Sequence, residues 1–194
     1  MKRVKLQFDF NFDRSLQAAA YLLNKAEGHE MPYIHLLKML YIADREFLAE
    51  YGYMITGDKV VAMEHGPVLS SVLNLIKGQI SKAGNWQRFL KTKAKTYTVR
   101  LVSDPGIEDL SRAIMLKLDD VFERYGNLAP FQVVELTHEF PEWRTYYAHN
   151  TSTPISWQSI LQHQGKEKMV QIAEEQIKLQ AHQRAFQKKV NATR

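Results

Sequence analysis

The chain has 194 residues, 45% hydrophobic and 24% charged, with a formal net charge of +5, the balance of one globular domain with a core of its own. It contains no cysteine, which excludes disulfide scaffolds, cysteine-ligated zinc, iron–sulfur clusters and thiol nucleophiles and agrees with a reducing, cytoplasmic setting. No run approaches the ~20 apolar residues of a membrane span, and the positive excess lies in the tail, where residues 166–194 carry seven Lys or Arg against three Glu.

Val4, Leu6, Phe8, Phe10 and Phe12 alternate with polar residues, a period-two pattern that predicts a half-buried strand over 4–12. Asp13 or Ser15 is placed to cap a helix carrying Leu16, Ala19, Ala20 and Leu23, ending near Gly28. Pro32 opens the next helix, which runs to about Tyr51 and stops at Gly52. Its middle, KMLYIADREFLAEYG, is apolar nearly all round and predicts a central buried helix. Thr56-Gly57-Asp58 reads as a turn and Val60 to Met63 as a short strand. His65-Gly66-Pro67 reads as a helix start, with Pro67 at the first helical position and the pattern fading near Gly84.

Tyr97, Val99 and Leu101 predict a second strand, and Asp109 or Ser111 starts a helix with Ile114, Leu118, Val121, Phe122 and Tyr125 on its apolar stripe, closed by Gly126. Ala129-Pro130-Phe131 opens a short helix broken by Pro141. Trp143 and Trp157 flank a polar loop, after which Pro154 opens one more helical turn. In the tail, Met169, Ile172, Gln176, Leu179, Gln183, Phe186 and Val190 recur at alternating spacings of three and four. This is a thin seam that must dock on its own domain or on a partner. The expected architecture is mainly α: a single helical domain around a buried central helix over 1–165, with a small antiparallel sheet, followed by a basic C-terminal helix over 166–194.

No pattern assigns catalysis, a metal or a cofactor. His138-Glu139 lacks the second histidine of a zinc-protease helix, no serine sits in a nucleophile elbow, and no glycine loop suits a phosphate. A hydrolase built on His65 or His138 would need a cleft where acid–base groups converge. Trp86, Arg88, Phe89, Lys91, Lys93 and Lys95 interleave aromatic and basic residues, which suits a single-stranded nucleic acid but equally a helix packed through Trp86 and Phe89. The basic tail offers the second route to nucleic acid, as part of a regulator acting on its own operon. Asp44 and Arg45 interrupt the apolar helix, and a buried charge needs partners. With no nucleophile beside them they read as a structural clamp. Asp44 accepts backbone N–H groups of the Gly57–Lys59 loop or the Met63–Gly66 turn, and Arg45 ties carbonyls there or pairs with Asp58.

Leu36 to Gly78 also resembles the core of the Panacea-domain family, which includes SocA-like antitoxins and phage-associated GepA-type proteins. The matching residues are Lys38, Leu40, Tyr41, Ala43 and Asp44, then Ile55-Thr56-Gly57-Asp58, then His65-Gly66-Pro67-Val68. LTHEFPEW, with Thr137, His138 and Trp143, resembles the second signature of the family. The resemblance covers roughly Leu16 to Leu161; the N-terminal alternating segment and the basic tail helix are not part of the common core. It implies a cytoplasmic, non-enzymatic antitoxin that neutralises a co-encoded toxin by direct binding, with one branch linked to presenting the toxin to a protease. On this reading Lys38, Tyr41, Asp44, Arg45, Gly57, Asp58, His65, Gly66, Pro67, Thr137, His138 and Trp143 serve the scaffold first and a partner groove second. Phe8, Phe10 and Phe12, with Ile172, Leu179 and Phe186, offer spare apolar surface for the partner.

Overall fold

The computed structural model describes residues 6–192. Residues 6–11 lead without regular structure into helix α1 (Phe12–Lys25), whose cap is Asn11, its side chain accepting the Arg14 N–H at 2.9 Å. The expected strand over 4–12 is therefore absent among the described residues, and Val4 lies outside them. The aromatic alternation has another cause. Phe8 is buried edge-on between Tyr53 and Trp157, Phe12 sits edge-on to Trp86, and the Leu6 carbonyl accepts the Trp157 indole N–H at 3.1 Å. Side chains, not a ladder of backbone bonds, hold this segment down.

A short turn and strand β1 (Glu30–Pro32) feed helix α2 (Tyr33–Tyr51), bounded by Pro32 and by Gly52, as the sequence predicts. From His35 to Asp44 every residue of α2 is buried. Strands β2 (Val60–Met63) and β3 (Gly66–Leu69) form a hairpin, with Val60 opposite Leu69 and Met63 opposite Gly66. Helix α3 (Ser70–Ile76) starts only after it. The expected helix start at His65-Gly66-Pro67 is thus a strand. Gly66 is held at φ +90°, outside the helical region, and pairing with β2 uses the backbone through Leu69.

Helix α4 (Ala83–Phe89), strands β4 (Leu90–Lys93) and β5 (Thr98–Leu101), and helix α5 (Arg112–Tyr125), capped by Ser111, come next. Helices α6 (Pro130–His138) and α7 (Pro141–Tyr146), strand β6 (Thr153–Ile155), helix α8 (Trp157–His163) and helix α9 (Met169–Ala192) complete the chain. Pro154 lies in β6, opposite Val61, and does not open a helix; the edge of a sheet tolerates its missing N–H. The strands make two antiparallel three-stranded sheets, ordered β1-β5-β4 and β3-β2-β6. The fold is mainly α, as expected, with α2 at its centre packed against α5, α6, α9 and the hairpin. No helix among the described residues is long and apolar enough to cross a membrane.

Candidate functional site

Three polar side chains of α2, Asp44, Arg45 and Lys38, each tie down a different piece of the chain. Asp44 is fully buried. Its carboxylate accepts the Thr56 backbone N–H at 2.9 Å and the Thr56 hydroxyl, fixing the loop that precedes β2. The clamp expected at Asp44 is present, anchored one residue before the loop named for it. Burial pushes the Asp44 carboxyl up to about 7, against the opposing hydrogen bonds from Thr56. The Thr56 hydroxyl oxygen in turn accepts the Asp58 N–H at 3.1 Å. Asp58 accepts the N–H groups of Lys59 at 2.7 Å and of Val72 at 3.0 Å.

Arg45 does not reach Asp58. Its guanidinium grips Glu142, Nε to Oε1 at 2.5 Å and Nη2 to Oε2 at 3.3 Å, lies 4.1 Å from the Phe140 ring centre, and donates to Gln164 at 3.1 Å. The Glu142 side chain is wholly buried and also accepts the Tyr41 hydroxyl at 2.8 Å. The expected pairing with Asp58 fails because Asp44 and Arg45 are adjacent, and adjacent helical residues point about 100° apart. One faces the loop before β2 and the other faces α7. The sequence reading missed Glu142, whose position beside Trp143 in the PEW segment was its only signal.

Lys38 is the third tie. Its amine is buried and donates to the Pro67 carbonyl at 2.8 Å; burial pushes it down to about 7. A Cβ on Gly66 would lie 2.6 Å from the Thr137 hydroxyl and 2.9 Å from the Lys38 amine, so only glycine fits this crossing of hairpin, α2 and α6. Gly57 is as constrained: a Cβ there would collide with the Asp9 carbonyl oxygen. Thr137 is buried, donating to the Val134 carbonyl at 2.7 Å. His138 stacks on Trp143 with ring centres 4.1 Å apart, and the Trp143 indole donates to the Met63 carbonyl at 2.9 Å. Burial lowers the His138 pKa; Lys38 and, more weakly, His65 add to it. His65 itself is exposed, edge-on to Phe131.

The motif residues are therefore brought together around α2, Asp44 with Thr56 and Asp58, and Lys38, Tyr41 and Arg45 with the hairpin and α7. The histidines lie close enough to influence each other, but among the described residues no hydroxyl is hydrogen-bonded to either ring, and no three His, Asp or Glu converge as metal ligands. Trp86 is fully buried and Phe89 packs against the core, so packing accounts for the aromatic residues of the 86–95 stretch, while Arg88, Lys91, Lys93 and Lys95 are exposed. The spare surface expected at Phe8, Phe10 and Phe12 is taken up inside the chain. Phe8 is core, and the other two pack against it.

Above the Lys38 crossing lies a cavity of about 560 Å³. Tyr33, Ile34 and Leu37 of α2 form one wall, the β2–β3 turn and Val68 a second, and Tyr97 and Phe131 the rim. Those two rim residues are 65% and 63% exposed.

Residues 36–144, more than half of the chain, match the family model described as antitoxin SocA-like, Panacea domain. The chain belongs to the SocA-like, Panacea-domain family. Comparison with curated proteins and with solved structures gives no match. Membership gives the protein an antitoxin character in general and, with it, a toxin as the general kind of partner. The matched segment begins inside α2 and ends inside α7. It contains both halves of the polar lattice, Asp44–Thr56–Asp58 and Tyr41–Arg45–Glu142, and most of the cavity lining, though not Tyr33 and Ile34. It leaves out α1 and α9, narrower than the Leu16 to Leu161 span expected from the sequence.

Proposed function

We propose that this Panacea-domain protein neutralises a toxin encoded beside it by binding an apolar segment of that toxin in the groove between α2, the β2–β3 hairpin and the start of α6. The observation that carries this reading is the Tyr97–Phe131 rim. Two large aromatic side chains, each more than half exposed, stand over a cavity of about 560 Å³ in the segment that carries the family match. Aromatic anchors beside an apolar cleft are the usual centre of a protein–protein hot spot, and monomeric domains seldom leave such a patch without a use.

The polar lattice is the support for that surface. Lys38 fixes the hairpin wall through Pro67, and Arg45–Glu142 fixes α7, whose Trp143 holds the Met63 carbonyl at the end of β2. These residues position the groove and need not touch the toxin.

The experiment is co-expression with the neighbouring open reading frame, read by growth and by affinity pull-down. The intact chain is expected to restore growth and to retain the neighbour. Phe131→Glu and Tyr97→Glu, both at exposed sites, are expected to lose both effects with an unchanged melting temperature. Full neutralisation and retention by both variants would place the binding surface elsewhere. Rescue without retention would replace stable occlusion by delivery of the toxin to a protease.

A further inference from the structure

Helix α9 has two faces, and the chain uses one of them. Ala173 and Ile177 are buried against α2 and α8, the Gln180 amide donates to the Tyr53 hydroxyl at 3.0 Å, and Arg184 pairs with Asp9. Roughly a quarter turn round the helix lies the seam of spacings three and four noted in the sequence. The structure leaves most of it in solvent: Ile172, Leu179, Phe186 and Val190 are between 41% and 69% exposed, while Gln176 is half-buried and Met169 packs against the core at the start of the helix. From Ala181 to Phe186 every residue is exposed, and in this stretch the tie to the rest of the chain is the Arg184–Asp9 pair.

The seam is a heptad pattern. Ile172, Leu179 and Phe186 take the d position, and Met169, Gln176, Gln183 and Val190 take the a position. Three heptads with apolar d residues make a coiled-coil face. Two glutamines at a are costly against an apolar partner, because each brings an amide that needs donors and acceptors at its own height. Among the described residues neither the Gln176 nor the Gln183 side chain has a hydrogen-bond partner in the chain. A second copy in parallel register meets both needs together, placing Gln176 on Gln176, Gln183 on Gln183, and each d residue on its own twin. An antiparallel copy would set each glutamine opposite Phe186 or Leu179.

We infer that α9 pairs with α9 of a second copy as a parallel, in-register two-stranded coiled coil on the Ile172–Leu179–Phe186 seam. At about 1.5 Å per residue, the 24-residue helix spans roughly 36 Å. That is enough for a small interface at the lower end of the stable range, so the dimer exchanges with monomer. The seam lies outside the segment matched by the family, and pairing there leaves the groove open.

The test is sedimentation equilibrium of the full chain, together with oxidative cross-linking, for which the cysteine-free sequence is suited. A reversible dimer is expected, at least tenfold weaker in the Leu179→Glu and Phe186→Glu variants, with circular dichroism confirming that both stay folded. Gln183→Cys is expected to form a covalent dimer on oxidation, because parallel a residues face each other, whereas Ala181→Cys, on the outer face of the helix, does not. A chain that stays monomeric at submillimolar concentration overturns the proposal. So does a dimer that survives both Glu variants, or one in which the cysteine at 183 does not cross-link. The neutralisation assay of the groove is independent of every one of these outcomes.

Discussion

The Asp58 carboxylate accepts the backbone N–H of Val72 at 3.0 Å and so caps a helix to which it does not belong. The residue at the cap position of α3 is Leu69, which has no side-chain oxygen to offer. The chain supplies one from the loop before β2, and that loop is itself held by Asp44 through Thr56. One helix end thus depends on a carboxylate two steps away in a hydrogen-bond relay.

Asp58→Ala should lower the unfolding free energy by about 2 kcal/mol, the cost of losing a cap and leaving buried N–H groups unpaired. Asp58→Asn keeps an acceptor oxygen and should lose less than half of that. Urea midpoints at constant slope measure both. Equal losses in the two variants would mean that charge, not capping, is what Asp58 contributes.

Asp44 and Lys38 give the stability a dependence on pH of opposite sign. The Asp44 carboxyl is raised from 3.8 to about 7. Between those values the folded chain keeps a proton that the unfolded chain has released, and stability falls as pH rises. The Lys38 amine is lowered from 10.5 to about 7. There the unfolded chain holds the extra proton, and stability falls as pH drops toward 7. Asp44→Asn should flatten the acidic limb and Lys38→Met the alkaline limb of the melting-temperature profile. Variant curves that run parallel to the native one on those limbs would refute the assignment.

Gly66→Ala should destabilise by about 3 kcal/mol, through the left-handed backbone and the collision with Thr137 and Lys38. Gly28 is the control: its φ is +64° and a Cβ there meets nothing within 4 Å. Gly28→Ala should cost about 1 kcal/mol, from backbone strain alone. Thermal unfolding of the pair separates packing from conformation.

Removing one partner of the Arg45–Glu142 fork leaves a buried charge, so Arg45→Ala should cost about 3 kcal/mol. Arg45→Lys should recover little of it, because an ammonium offers neither the two-pronged contact to Glu142 nor the stacking on Phe140. A double-mutant cycle with Glu142→Gln is expected to give a coupling above 1 kcal/mol. Additive losses would show that the two residues act separately.

Local signals in the sequence were sufficient for α2, α5 and β2, since apolar spacing, a preceding turn and terminal Pro or Gly act through local geometry. Asp44 as a clamp was legible for the same reason: a carboxylate in an apolar stripe must find donors, and the next loop is the nearest supply. Glu142 was not legible, because it stands 97 residues from Arg45 and looks like any acid in the first turn of a short helix. The hairpin at Gly66 was missed because Gly-Pro signals a helix start and a strand edge alike, and only the neighbouring β2 decides between them. In α9 the periodicity showed one seam, expected to dock on the domain or on a partner; the face that docks, Ala173 and Ile177, went unread. The sequence by itself determined where the helices run and that charges on α2 must be paired. Which residues pair with them, and which face of α9 is left to solvent, only the tertiary structure decided, because contacts between residues far apart in the chain have no local signature.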